Sequence, residues 1–166
     1  MSVGEFELSG RTPSVVPNAA GRCVGVVGDV YRMLVTGKQT DGKYALIESL
    51  VPPGGGPPLH RHSREEEGFY ILEGELTVTV DGRREVLTAG MFANLPVGSA
   101  HMFRNEGTKT VRMLLTIAPA GLEEMFLEIG AALPDGATVA PPPSKTEIDR
   151  LIAAVGTYGV ELMPAA

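Results

Sequence analysis

All three histidines of this chain of 166 residues fall in one spaced cluster, His60-Arg61-His62 followed by Glu67 and later by His101. Imidazole is the commonest metal-ligating side chain, so placing the whole supply beside a carboxylate reads as a single metal site. Whatever fold the chain adopts has to bring these four positions to one ion.

Strand geometry accounts for the first pair. Alternate residues of a β-strand share a face, with Cα atoms roughly 6.5 Å apart at a rise of about 3.3 Å per residue. His60 and His62 can therefore hold one ion between them. Glu67 follows a polar turn and opens Phe69-Tyr70-Ile71-Leu72, an aromatic and β-branched run expected to be the next strand, paired back against the first. Further on, Pro96 and Gly98 mark a tight turn between two short apolar strands. His101 begins the second of these and points inward as the fourth ligand.

These residues resemble the cupin superfamily. Gly54, His60, His62, Glu67 and Gly74 fill every position of its first signature, and Gly90, Pro96, Gly98, His101 and Asn105 fill the second. The intervening stretch, Glu75 to Ala89, is similar in length to that of compact single-domain members. The resemblance implies an all-β fold, the cupin (RmlC-like) double-stranded β-helix or jelly-roll barrel. Gly74, Gly90 and Gly98 are read as turn residues without chemistry of their own.

Composition agrees with one such domain. An apolar content of 43% with 21 Gly and 13 Pro suits many short strands joined by turns. A net charge of -6 and no basic cluster argue against nucleic acid or an anionic membrane as partner. Met1 to Glu7 carry neither a basic n-region nor a long apolar run, so a cytoplasmic location is expected. Cys23, the one cysteine, has no partner for an internal disulfide and is given no role.

Residues 1–20, with Pro13 and Pro17, are expected to be irregular, residues 21–119 to form the barrel, and 120–166 a C-terminal helical extension. Apolar segments begin at Val24, Tyr31 and Tyr44. Asp81-Gly82 between Leu76–Val80 and Arg83–Leu87 is a hairpin turn, and Val111 to Ile117 is the last strand expected. Leu122, Met125, Phe126 and Ile129 then recur at helical spacing, with Gly130 as the stop. Pro134 to Pro143 reads as a linker. Ser144 and Glu147 make a capping box for a second helix, whose apolar stripe is Ile148, Leu151, Ile152 and Val155. Both helices are expected to pack on the outside of the barrel.

Three imidazoles and one carboxylate on an octahedral ion leave two positions open, which suits a catalytic site and a divalent transition metal: Fe, Mn, Ni, Co, Cu or Zn. The proline- and glycine-rich run Pro52–Pro58, the Phe69–Gly74 strand and the trailing helix look like small single-barrel cupins similar to quercetin 2,3-dioxygenase. That resemblance implies a dioxygenase of a small enolic or aromatic substrate. Glu67 would be both ligand and catalytic base, taking the proton of an enol or flavonol hydroxyl before ring opening. A metal-bearing isomerase or decarboxylase, and a small-molecule-binding protein without turnover, stay open beside it. Alternation from Glu67 and His101 directs Phe69, Ile71 and Phe103 into the pocket. Glu48, an acid in an apolar strand, is either a solvated rim residue or a contact to a histidine. Exposed strand edges point to a homodimer.

Overall fold

The computed structural model describes residues 12–164. Residues 1–11 of the segment expected to be irregular, Met1 to Glu7 among them, lie outside the described residues, and residues 12–20 form neither helix nor strand. Short β-branched and aromatic runs broken by Gly, Pro and Asp then generate the strands in order. They are β1 (Cys23–Val26), β2 (Asp29–Val35), β3 (Ala45–Val51), β4 (His60–His62), β5 (Glu66–Glu73) and β6 (Glu75–Val80), with a single helical turn, α1 (Gly37–Thr40), between β2 and β3. There follow β7 (Arg83–Thr88), β8 (Phe92–Leu95), β9 (His101–Arg104), β10 (Val111–Ala118), α2 (Leu122–Ile129), β11 (Ala131–Leu133), α3 (Lys145–Val155) and β12 (Val160–Leu162).

Two antiparallel sheets result, one of seven strands in the order β11-β1-β2-β3-β10-β5-β8 and one of five in the order β12-β4-β9-β6-β7. Every second residue of each points inward. Ile47, Phe69, Ile71 and Met113 of the larger sheet and Leu76, Val78 and Phe103 of the smaller are buried in one core. The β6–β7 hairpin turns on Asp81 and Gly82, both at positive φ (47° and 78°), the backbone that a two-residue loop between twisted strands requires.

Three expectations need correction. β5 does not pair with β4: it lies between β10 and β8 in the other sheet, because Ser63-Arg64-Glu65 carries the chain across the barrel. The C-terminal extension is not purely helical either. β11 pairs with β1, and β12 pairs with the histidine strand β4, as Val160↔His62 and Leu162↔His60. The capping box of α3 is only half formed. Ser144 accepts from the Glu147 amide (3.2 Å), but the Glu147 carboxylate reaches instead to the Val27 amide (2.6 Å) and ties α3 to the β1–β2 turn. Consequently Val155 is buried and Leu151 half-buried, while Ile148 and Ile152 of the expected stripe face solvent. The face of α2 is as expected, with Leu122, Met125, Phe126 and Ile129 all buried. Among the described residues, no helix is long and apolar enough to cross a membrane.

Asn105 locks the loop that precedes β4. Its buried side-chain amide donates to the carbonyls of Val51 and Lys109 (2.8 Å each), and its Oδ1 accepts from the Gly107 amide (3.0 Å). Its backbone exchanges hydrogen bonds with Gly54 and Gly55. Gly56 completes this close approach at φ +122°, where a Cβ would sit 2.1 Å from the Phe103 carbonyl oxygen. Replacing Asn105 by Ala removes its bonds to the Val51 and Lys109 carbonyls and the Gly107 amide, the first of them fully buried. Chemical denaturation is expected to show a loss of about 2 kcal/mol or more, on the scale of unsatisfied buried polar groups.

Candidate metal centre and its cavity

His60 and His101 are directly opposed across the β4–β9 pair, and His62 is two residues along β4 on the same face. Glu67 reaches in from β5 of the facing sheet. All four are buried, and one ligand atom of each lies within 4.8 Å of the others. The Pro96–Ser99 turn that delivers β9 is closed by the Ser99 amide on the Pro96 carbonyl (3.1 Å), and the Gly98 amide is bound to the His62 carbonyl (2.9 Å). The turn and the histidine strand therefore hold each other in place.

Tautomers are set by the backbone. Nδ1 of His60 faces the Pro58 carbonyl at 2.8 Å, and Nδ1 of His101 faces that of Ser99 at 3.1 Å. Each Nδ1–H donates there, which leaves Nε2 with a lone pair for the cluster. Nε2 of His101 is 3.0 Å from Glu67 Oε2, and Nε2 of His62 is 3.3 Å from the same oxygen. Three imidazole nitrogens and a carboxylate oxygen gathered this closely are a donor set that fits a divalent transition metal.

Burial is the largest influence on each titration and favours the neutral forms. His60 follows it down to about 4. In His62 the carboxylates of Glu65 and Glu67 outweigh burial and raise the imidazole to about 9. In Glu67, the imidazoles of His101 and His62 beside it together outweigh burial and hold the carboxyl at about 2. Glu65, equally buried, places Oε2 3.8 Å from Nδ1 of His62, on the side away from Glu67.

The cluster opens on a cavity of about 100 Å³. His60, His62 and Glu67 form one part of its wall, and Phe103, Leu115 and Val160 extend it within the barrel. The helices are not mere outer packing. Leu122, Met125 and Phe126 of α2 and Leu151 and Val155 of α3 close the cavity, and Phe126 stacks on Tyr31 at 4.7 Å between ring centres. Asp29 and Tyr31 of β2 complete the lining.

Of the pocket residues expected from sequence, Phe103 is on the wall. Phe69 stands behind it, 5.4 Å from the Phe103 ring and 6.4 Å from that of His101. Ile71 is deeper in the core and does not line the cavity. Glu48 touches no histidine. It lies on the opposite face of β3 from Ile47, bound by Arg32 and Arg112, beside a separate outer groove. Sequence reasoning missed Asp29, Tyr31 and Glu65. Asp29 and Tyr31 share the period of Met33 on β2, a signal that was present; Glu65 was hidden in the run Glu65-Glu66-Glu67.

A cupin domain model matches residues 47–117. The chain is 26% identical over 154 residues, 93% of its length, to a quercetin 2,3-dioxygenase of Bacillus subtilis, of which it spans 45%. It is 28% identical over 109 residues to an oxalate-binding protein of Thermotoga maritima, covering 64% of this chain and 90% of that protein. An RmlC-like cupin from Shewanella frigidimarina superimposes with a TM-score of 0.60 at 22% identity, over 69% of this chain and 97% of the other, a likeness of fold. The chain thus spans about half the length of the dioxygenase.

Two outcomes follow from the ligand geometry. His62→Ala is expected to lower bound metal sharply, read by elemental analysis of the purified protein. Because the His62 proton, held to about 9, must leave before an ion binds, affinity is expected to rise with pH up to that value and level above it. Calorimetry in buffers of different ionisation enthalpy measures the released proton.

Proposed function

Because this chain belongs to the cupin superfamily, we propose that it is a metal-dependent dioxygenase of a small enolic substrate. The observation that carries this reading is a complete, buried set of three histidines and one glutamate, of which His60, His62 and Glu67 line a largely apolar cavity. A divalent ion held by these residues would supply Lewis acidity and one-electron chemistry. The chain's own residues do the rest. His60, His62 and His101 hold the ion, and Glu67 both holds it and takes the hydroxyl proton of the enol. Phe103, Leu115 and the helix residues exclude water.

The cavity narrows the substrate. Its volume of about 100 Å³ is well below the roughly 300–1,000 Å³ of sites for drug-sized ligands, which favours small diketones and enols over flavonols. Dioxygen uptake by the metal-loaded protein across such a panel tests the reading. Uptake with none of the panel would overturn it. A metal-bearing isomerase or decarboxylase is the second reading, supported by the extra buried acid Asp29 in the same cavity. It would form product without dioxygen uptake.

Glu67→Gln separates proton transfer from metal holding, since the amide retains a weakly coordinating oxygen but accepts no proton. Turnover per bound metal is expected to fall by about 10² or more. Unchanged turnover per metal would make Glu67 a ligand alone.

A further inference from the structure

The lining of the cavity carries an acid that lies outside the ligand set. Asp29 is the first residue of β2, and alternation turns it inward with Tyr31. It is 3% exposed, and among the described residues its Oδ1 has no hydrogen-bond partner. Among the described residues no cation pairs with it, in contrast to Glu48 with its two arginines. A buried carboxyl with one oxygen unpaired costs stability, so its retention in the lining of a small cavity calls for a ligand.

We propose that Asp29 is a second proton-transfer residue, working in the cavity that the metal ligands also line, on a small ketone with a second oxygen next to its carbonyl. The inference rests on the enolic-substrate reading and extends it to how the enol arises. With one substrate oxygen at the cluster, the Asp29 carboxylate takes a proton from the carbon beside the carbonyl. The C–H bond breaks, an O–H bond forms on Asp29, and the electron pair moves into the enolate. Return of that proton to the enolate oxygen gives the enol and regenerates the carboxylate, so no oxidant or reductant is consumed.

Burial raises the Asp29 carboxyl to about 7, only partly opposed by the Gly56 amide, so both of its forms are populated near neutral pH. The other titratable groups facing the cavity are Tyr31 on its own strand, His60 and His62 of β4, and Glu67 of β5; β1, α2, α3 and β12 contribute apolar residues.

The test is hydrogen–deuterium exchange at carbon, followed by proton NMR under argon in D₂O, with hydroxyacetone, pyruvate and 2,3-butanedione as probes. Metal-loaded wild type is expected to accelerate exchange of at least one probe over buffer. Asp29→Asn, which keeps an acceptor for the Gly56 amide, is expected to lose about 10² of that rate at unchanged metal content. Equal exchange by the variant, or no acceleration by wild type with any probe, overturns the proposal. If Asp29→Asn does not fold, the wild-type pH profile decides: an inflection near 7 supports the role, and a flat profile overturns it. Dioxygen plays no part, so failed oxygen uptake sinks the dioxygenase reading and leaves this one standing, and the converse holds.

Discussion

The convergence of four acceptor groups from two facing sheets is the constraint on which the rest of the structure depends. His60, His62 and His101 belong to the five-stranded sheet and Glu67 to the seven-stranded one, so the site is an inter-sheet clasp. Bringing a carboxylate oxygen to about hydrogen-bond distance of two imidazoles in a dry interior is costly without shared positive charge. The surroundings are arranged accordingly. Backbone carbonyls fix two histidine tautomers, and the Gly98 amide grips the carbonyl of the third. Asn105 and Gly56 hold the loop feeding β4 against β9.

The barrel and the ligands were legible because both are written in local pattern. HxH spacing on a strand, an inward glutamate and a Pro-x-Gly turn are each decided within a few residues. The two-residue hairpin at Asp81-Gly82 is equally local. What escaped notice depends on pairing between distant segments. Nothing near His60 in the chain announces that Val160–Leu162 will pair beside it, and both C-terminal strands are only three residues long. The assignment of β5 failed similarly, since a three-residue link serves a hairpin or a crossing between sheets, and only the β10 and β8 partners decide.

Side-chain fates were harder to read than backbone. Glu48 and Asp29 are both acids in otherwise apolar strands, and sequence alone singled out the first. Facing decides between them. Glu48 sits on the outer face, where Arg32 and Arg112 neutralise it, whereas Asp29 is turned into the cavity with no cation beside it among the described residues. The helix faces show the same limit. The periodicity of α2 matched its burial, but Glu147 is drawn to the Val27 amide, and α3 settles with Ile148 and Ile152 outward.

The pairing of β12 with β4 bears on how the protein comes into being. During synthesis His60, His62, Glu67 and His101 all emerge well before Val160 to Leu162, yet one edge of the histidine strand has no partner until those residues arrive. The lid helices, α2 and α3, also lie on the C-terminal side of every ligand. A nascent chain therefore exposes a nearly complete chelating cluster, with an open strand edge, before the cavity can close over it. The four ligands thus precede in the chain every element that covers them on that side, α2, α3 and β12.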